Sequence, residues 1–289
     1  MMSQNGFGSR YLGIVILYHP DVDQIKINIS RYLPYIDKLL LWDNTPNDNG
    51  YKDELISIDE KKIIYKTDGR NRGISAALNY AVTFAANNKF DFLLTMDQDS
   101  YWQNFDVYIQ CHNKLRNIAV GIYSPSVNSS KIHDTASEYT EVDHAITSGS
   151  IFPIKMVNRI GSFRSDFFVD GIDIEYGYRA KSNGYKTIRI NSACLMQIFG
   201  KNTPRKLLGF KYSVPEYPAC RLYEILRNHI IVWRTYPTVI SKQSKRTIVF
   251  TYFFRFFIDI LLFQDKKSAK LSALISGVFD GLRYRIKSC

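Results

Sequence analysis

The sequence predicts an α/β protein: a mostly parallel, Rossmann-like sheet flanked by helices, followed by a basic, amphipathic helical segment. Apolar runs of strand type alternate with stretches of helical periodicity between residues 11 and 190, the pattern of a parallel sheet with crossover helices. Three of those runs stop abruptly on polar residues, at Tyr18-His19, at Asp43-Asn44 and at Asp97 with Asp99. Charge is divided unevenly: residues 1–200 hold 21 Lys and Arg against 22 Asp and Glu, whereas residues 201–289 hold 17 against 5. The expected organisation is therefore a nucleotide-binding α/β domain over 1–215 and a helical, basic region over 216–289.

The elements follow in order. Tyr11–Tyr18 is an almost continuous apolar run, closed by His19-Pro20. Asp21 then opens a helix with Val22, Ile25, Ile29 and Leu33 on one stripe, stopped by Pro34. Lys38–Trp42 and Lys62–Lys66 are the second and third strands, with a loop rich in Asn, Asp, Pro and Gly between them. Gly69 and Gly73 bracket a turn that leads into a helix over Ile74–Ala86. Its free N–H groups, with Arg70 and Arg72 nearby, suit an anion or simply a turn. Phe90–Met96 is the fourth strand, Phe105–Arg116 a helix and Ile118–Tyr123 a strand closed by Ser-Pro. Residues 128–143 read as a surface loop or short hairpin, and Ala145–Pro153 as a strand broken at Ser-Gly-Ser. Phe167–Arg179 places Asp170, Asp173 and Glu175 at the mouth of a short helix, and Tyr185–Ile190 returns as a strand.

Composition excludes several classes. Cys111, Cys194, Cys220 and Cys289 form neither a C-x-x-C pair nor a zinc-like spacing, so they read as free thiols. The first ten residues lack a signal-peptide core, and a cytoplasmic address is expected. Val249–Phe263 is very apolar but shorter than the roughly 20 residues that span a bilayer, and it carries Arg255 and Asp259. Leu271, Leu274, Ile275, Val278 and Leu282 form a helical stripe amid Lys266, Lys267, Lys270, Arg283, Arg285 and Lys287. Such helices suit an anionic membrane surface, here over residues 245–289, or else packing on the α/β domain or on a second copy, so that a homo-oligomer is allowed.

The chemistry concentrates at Asp97-Gln98-Asp99. In an open α/β sheet ligands bind at the carboxyl ends of the strands. Two carboxylates one residue apart at such an end supply hard oxygens for Mg2+ or Mn2+ carrying a phosphate; the plain alternative is an Asp-rich turn.

The order of motifs resembles glycosyltransferase family 2, with its GT-A fold, and within it the bacterial rhamnosyltransferases that build O-antigen and related lipopolysaccharide. The residues carrying the resemblance begin with Tyr18-x-Pro20, Trp42-Asp43-Asn44-Thr45 and Asn71-x-Gly73 followed by Ala76, Ala77 and Asn79. They continue with Met96-Asp97-Gln98-Asp99-Ser100, Asp170-x-x-Asp173-x-Glu175 with Arg179, and Arg221-x-Tyr223 with Arg227-Asn228. Together they cover about residues 12–230.

The resemblance implies an inverting, metal-dependent transferase. Asp99 with Asp97 would hold the cation, Asp43 would read a uracil or thymine base, and Tyr18 would pack on it or sit in the core. Arg70, Asn71, Asp97 and Gln98 would line the nucleotide sugar, and Asp173 would be the catalytic base. Asp170, Glu175 and Arg179 would orient the acceptor, with a helix cap or an ion pair to Arg179 as the alternative for the two carboxylates. One departure stands out: where the family often keeps a metal-reaching His, this chain has Gln197, and His229 on a helix is more simply structural. The implied donor is dTDP-L-rhamnose and the implied acceptor a lipid-linked oligosaccharide, at the inner face of the plasma membrane, peripherally. UDP-galactose or UDP-N-acetylglucosamine is the alternative donor. A non-catalytic module binding nucleic acid or lipid is a weaker reading, because acidic strand ends repel a polyanion and no nucleic-acid fold signature is present; nucleic acid is not an expected partner.

Overall fold

A computed structural model of the chain describes residues 8–47, 50–116, 119–128, 137–198, 202–207 and 210–286. Two compact units emerge. One is the chain up to Asp166 together with Arg179–Ile198, and the other is Phe167–Tyr178 together with the chain after Ile198. The expected boundary at 215/216 falls inside the second unit.

The first unit opens with β1 (Tyr11–Leu17), α1 (Val22–Ser30), a short 3-10 turn, β2 (Lys38–Asp43), α2 (Lys52–Ile56), β3 (Ile63–Thr67), α3 (Gly73–Asn87) and β4 (Phe92–Asp97). Asp21 caps α1, its carboxylate accepting from the Gln24 N–H at 3.1 Å, as the sequence signal for that helix start requires. β5 (Ser100–Trp102), α4 (Phe105–Leu115), β6 (Val120–Val127), β7 (Tyr139–Val142), β8 (Ile151–Pro153) and α5 (Ile154–Ile160) follow. α6 (Ile172–Ser182) crosses the division between the units after Tyr178, and β9 (Lys186–Gln197) completes the sheet. The strand order is β3-β2-β1-β4-β8-β6-β9-β5, with β7 also paired to β9. β3, β2, β1 and β4 are mutually parallel, and β8 enters antiparallel to both β4 and β6. Parallel strands are covered on both faces, so they read as unbroken apolar runs. β1 and β2 are almost wholly buried, with Leu12, Ile14, Leu17, Leu39, Leu40 and Leu41 in the interior, each side chain contributing roughly 1.5–3 kcal/mol.

Several boundaries differ from the sequence expectation, each for a tertiary reason. β6 runs on through Ser124-Pro125, because a register shift beside Pro125 lets the ladder to β9 bypass the missing N–H. Only Ile151–Pro153 of the run 145–153 is strand, since the chain turns at Gly149 (φ 77°). A Cβ there would lie 2.9 Å from Pro125 and 3.1 Å from Trp102, so glycine is required twice over. β9 extends seven residues past Ile190 and there receives β5, a strand that three residues of sequence could not announce. The stretch 128–143 contains β7; its residues 129–136 lie outside the described ones, as does Lys287 of the basic tail.

The second unit holds the start of α6, a hairpin of β10 (Asn202–Leu207) with β11 (Phe210–Pro215), α7 (Ala219–Thr235), α8 (Lys242–Thr247), a π-helix over Ile248–Arg255, α9 (Phe256–Phe263) and α10 (Lys267–Arg283). α7 and α10 pack against each other through Gly277 and Gly281. A Cβ at Gly277 would come within 2.6 Å of the Tyr223 carbonyl and one at Gly281 within 3.0 Å of the Arg227 carbonyl, so both positions admit only hydrogen. Asp259 is fully buried one turn from Arg255, whose Nε lies 3.7 Å away. Among the described residues no helix is long and apolar enough to cross a membrane.

Candidate functional site

The parallel register places the polar strand ends together. Leu17 of β1 pairs with Asp43 of β2, Ile16 pairs with Asp97 of β4, and Asp43 pairs with Thr67 of β3. Tyr18, Asp43, Asp97 and the Gly69–Gly73 turn therefore lie at one carboxyl edge of the sheet. Parallel pairing alone produces this, since every such strand ends on the same side.

Asp97 closes β4. Its Oδ2 accepts from the Gln197 side-chain N–H2 at 2.7 Å, and its backbone N–H donates to Ser148 Oγ at 3.1 Å. Ser148 in turn donates to Ser100 Oγ at 2.9 Å. The Oε1 of Gln197 is buried and has no hydrogen-bond partner, a costly state for an amide oxygen. Asp99 is exposed, yet partial exclusion of water by the surrounding protein raises its carboxyl above the usual carboxylate range, against a lowering contribution from its own N–H. Among the described residues no three His, Cys, Asp or Glu side chains cluster as a metal site would. Carboxylate and amide oxygens of the kind that Asp97, Asp99 and Gln197 carry are hard ligands, the type an octahedral ion takes alongside phosphate and water.

Gln98, expected to line the nucleotide sugar, has its side chain on the backbone of Tyr18. Its Oε1 accepts from the Tyr18 N–H at 2.8 Å and its Nε2 donates to the Tyr18 carbonyl at 3.0 Å, while its own carbonyl accepts from Asn28 at 3.1 Å. Gln98 thus ties the exit of β1 to the exit of β4. Tyr18 is 48% exposed, not a core aromatic, and its ring meets His19 edge-on at 4.5 Å. His19 holds a left-handed backbone (φ 46°), and its N–H donates to Thr45 Oγ1 at 2.8 Å.

Asp43 is 2% exposed, and its carboxylate already has three donors. The Thr45 N–H reaches Oδ1 at 2.8 Å, and the Tyr51 and Tyr65 hydroxyls reach Oδ2 at 2.8 and 2.5 Å. A carboxylate has about four acceptor directions, which leaves room for one further donor. Tyr65 precedes Thr67 by two on β3 and so shares its face, a strand-periodicity signal the sequence reading passed over. Beside it, Asn44 accepts from the Trp42 indole at 3.0 Å and from the Arg72 N–H at 3.1 Å, and donates to the Gly73 carbonyl at 3.2 Å. Arg70 and Asn71 are exposed; Asn71 Oδ1 takes the Gly73 N–H at 2.9 Å at the start of α3. Arg72 is hydrogen-bonded to Asp68 at 2.6 Å, which holds that carboxyl below its ordinary range.

The second acidic cluster belongs to the other unit, Arg179 excepted, whose Nη1 donates to the Ser162 carbonyl at 2.6 Å in the first. Asp170 has a left-handed backbone (φ 55°), and both its oxygens are held by Arg221, at 2.8 and 3.0 Å. For Asp170 the ion pair is thus with Arg221, whose pKa this contact raises. Asn228 binds the same turn from α7, donating to the carbonyls of Val169 at 3.0 Å and Asp170 at 2.9 Å. Glu175 is 1% exposed and accepts from the Tyr236 hydroxyl at 2.7 Å. Asp173, half-buried, lies in the first turn of α6, and its Oδ1 accepts from the Ile174 N–H at 2.8 Å. Burial and then the negative charges of Asp173 and Asp170 raise the Tyr252 phenol above its ordinary value. His229 is buried on α7, its Nδ1 at 2.7 Å from the Ile225 carbonyl, a structural role.

No family model matches the chain, and no curated protein sequence does. Its fold is shared by solved structures at low identity. GalNAc-T7 with UDP, GalNAc and Mn2+ is 12% identical with a TM-score of 0.61 over 95% of this chain, which spans 56% of that protein. A mannosyltransferase of Pyrobaculum calidifontis with GDP-Man and Mn2+ is 13% identical with a TM-score of 0.60, over 96% of this chain and 88% of that one. TarS of S. aureus is 11% identical with a TM-score of 0.53, over 95% of this chain and 49% of that one. The fold is thus the α/β, GT-A fold, with a C-terminal helical segment added.

Proposed function

We propose that this chain is an inverting, divalent-metal-dependent glycosyltransferase that takes L-rhamnose from dTDP-L-rhamnose and adds it to a lipid-linked oligosaccharide of O-antigen or another surface polysaccharide. The observation that carries the reading is the β1–β2–β4 register, which gathers Tyr18, Asp43 and Asp97 at one edge, with the partnerless Gln197 oxygen belonging to the residue bonded to Asp97. The nucleotides and Mn2+ held by proteins of the same fold support it.

In this reading Asp43, already fixed by Tyr51 and Tyr65, offers its remaining acceptor direction to the N3–H of the base, and the exposed Tyr18 ring covers the base face. Arg70 and Asn71 would run along the ribose and diphosphate, and Asp97, Asp99 and Gln197 would hold the cation. A bound Mg2+ or Mn2+ would neutralise the charge that grows on the diphosphate as it departs. Asp173 takes the acceptor hydroxyl proton; the acceptor oxygen bonds to the anomeric carbon as that carbon's bond to phosphate breaks, and the nucleoside diphosphate leaves. Asp170 and Arg221 hold the turn that presents Asp173. The basic helices from residue 245 onward would rest on the anionic inner face of the plasma membrane, where such an acceptor resides.

The purified chain, given Mn2+ or Mg2+, a lipid-diphosphate saccharide and a panel of dTDP-, UDP- and GDP-sugars, is expected to release dTDP from dTDP-rhamnose. Release from UDP-galactose or UDP-N-acetylglucosamine instead would change the sugar and keep the reaction. The second reading has support in the UDP and GDP-mannose held by similar structures. No transfer from any donor would sink the proposal.

A further inference from the structure

The second unit contains a pocket of about 570 Å³ between α7, the π-helix and α10, a size typical of sites for small ligands. Leu226, Ile230 and Trp233 line it from α7, Val249 and Phe253 from the π-helix, and Val278 from α10. Its one charged wall residue, Arg234, is committed to the backbone, donating to the carbonyls of Gly281 at 2.9 Å and Tyr284 at 2.8 Å. The pocket therefore offers no polar partner of its own and suits a hydrocarbon. An eight-residue π-helix is rare, and such windings occur mostly at functional sites.

What would fill it is indicated by its surroundings. Phe254 and Leu282 line the pocket and are also strongly exposed, as are Phe250, Ile258, Leu262 and Phe279 on the same run of helices. An apolar surface of this kind marks a contact with a partner or a membrane. Two cations stand beside it: Lys245 over the Trp233 ring at 5.9 Å and Arg283 over Phe279 at 5.7 Å. Apolar side chains edged by Lys and Arg match an anionic lipid, chain inward and phosphate outward.

We propose that this pocket binds one acyl chain of an anionic phospholipid, drawn from the membrane surface on which the basic helices rest, so that the lipid phosphate stays among Lys245, Arg283 and their neighbours. The inference rests on the membrane-facing part of the reading above and not on sugar transfer. Trp233 lines the pocket, whereas Trp42 and Trp102 are buried in the first unit, so Trp233 fluorescence reports occupancy.

The test uses the full chain and phosphatidylglycerol carrying brominated acyl chains, in two forms: phosphatidylcholine vesicles doped with it, and a short-chain version kept monomeric in solution. Trp233 is expected to be quenched in both forms, and Trp233→Phe should remove the quenched component. Val278→Phe, which fills the pocket, should weaken the monomeric lipid's apparent affinity by about tenfold while vesicle co-sedimentation and the thermal melt stay as in the parent. Quenching by the monomeric lipid without vesicle binding would support the pocket and remove the membrane reading. Vesicle binding without Trp233 quenching would overturn the pocket and spare the membrane reading. Quenching that Val278→Phe leaves unchanged, or displacement of the brominated lipid by a polyprenyl phosphate at far lower concentration than by plain phosphatidylglycerol, would overturn the assignment.

Discussion

Gln197, at the last residue of β9, donates from its side-chain amide to Asp97, at the last residue of β4, at 2.7 Å, and keeps its other amide atom buried without a partner. One amide thus orients a carboxylate and, in the proposed reading, supplies a second hard oxygen to the cation. Gln197→Leu removes both functions, and Mn2+ affinity should fall by about ten- to a hundredfold, read from the EPR signal of free Mn2+ in a titration. Gln197→His should retain the metal. Unchanged affinity in Gln197→Leu would show that the buried oxygen is not a ligand.

The pair of hydrogen bonds between the Gln98 side chain and the backbone of Tyr18 makes a different prediction. Gln98→Ala frees the Tyr18 loop, so KM for the donor should rise several-fold with kcat nearly constant, the signature of lost uniform binding. Stability should fall by about 1 kcal/mol per hydrogen bond removed, measured by urea denaturation. A drop in kcat at unchanged KM would place Gln98 in the chemistry instead.

Asp43 depends on two phenols because a buried carboxylate without donors is expensive. Tyr65→Phe leaves one acceptor direction empty and should cost about 1–3 kcal/mol of unfolding free energy, with weaker nucleotide binding. Tyr51→Phe should act in the same direction, and the double variant should be non-additive, since the two hydroxyls share one oxygen.

Asp173→Asn keeps the shape of the α6 turn and removes the proposed base. Donor affinity by calorimetry should match the parent, while transfer should fall by about 10²–10⁴-fold. A fully active variant would leave the acceptor proton to another group.

His112 couples stability to pH. It lies in the core against Tyr11 and Phe92, with Nδ1 at 2.9 Å from the Tyr11 hydroxyl and Nε2 buried without a partner. Burial, aided by the positive charge of Arg116, pushes its pKa down to about 3 from 6.5. As pH falls the unfolded chain takes the proton first, so this contribution is whole above about 6.5 and is lost progressively toward pH 3, by up to about 1.4 kcal/mol per unit. The urea midpoint should drop over that window, and His112→Asn should flatten the drop. An equally steep pH profile in His112→Asn would assign it to other groups.

The sequence by itself determined what depends on near neighbours in the chain. Apolar runs specified β1 to β4, the Asp21 cap started α1, and polar residues at strand ends followed from where those runs stop. Parallel order then required the ends to meet, which is why Asp43 and Asp97 could be placed at one edge without coordinates. The tertiary structure decided which partner each polar group takes, because contacts such as Gln197 with Asp97 or Arg221 with Asp170 join residues 100 and 51 positions apart and leave no local pattern. It likewise decided that Glu175 is interior and Tyr18 exposed, since burial follows from what packs opposite a residue and not from its type. The lengths of β6 and β9, the short β5 and the π-helix belong to the same class: each is set by a ladder, bulge or helix contact that forms only after distant segments meet.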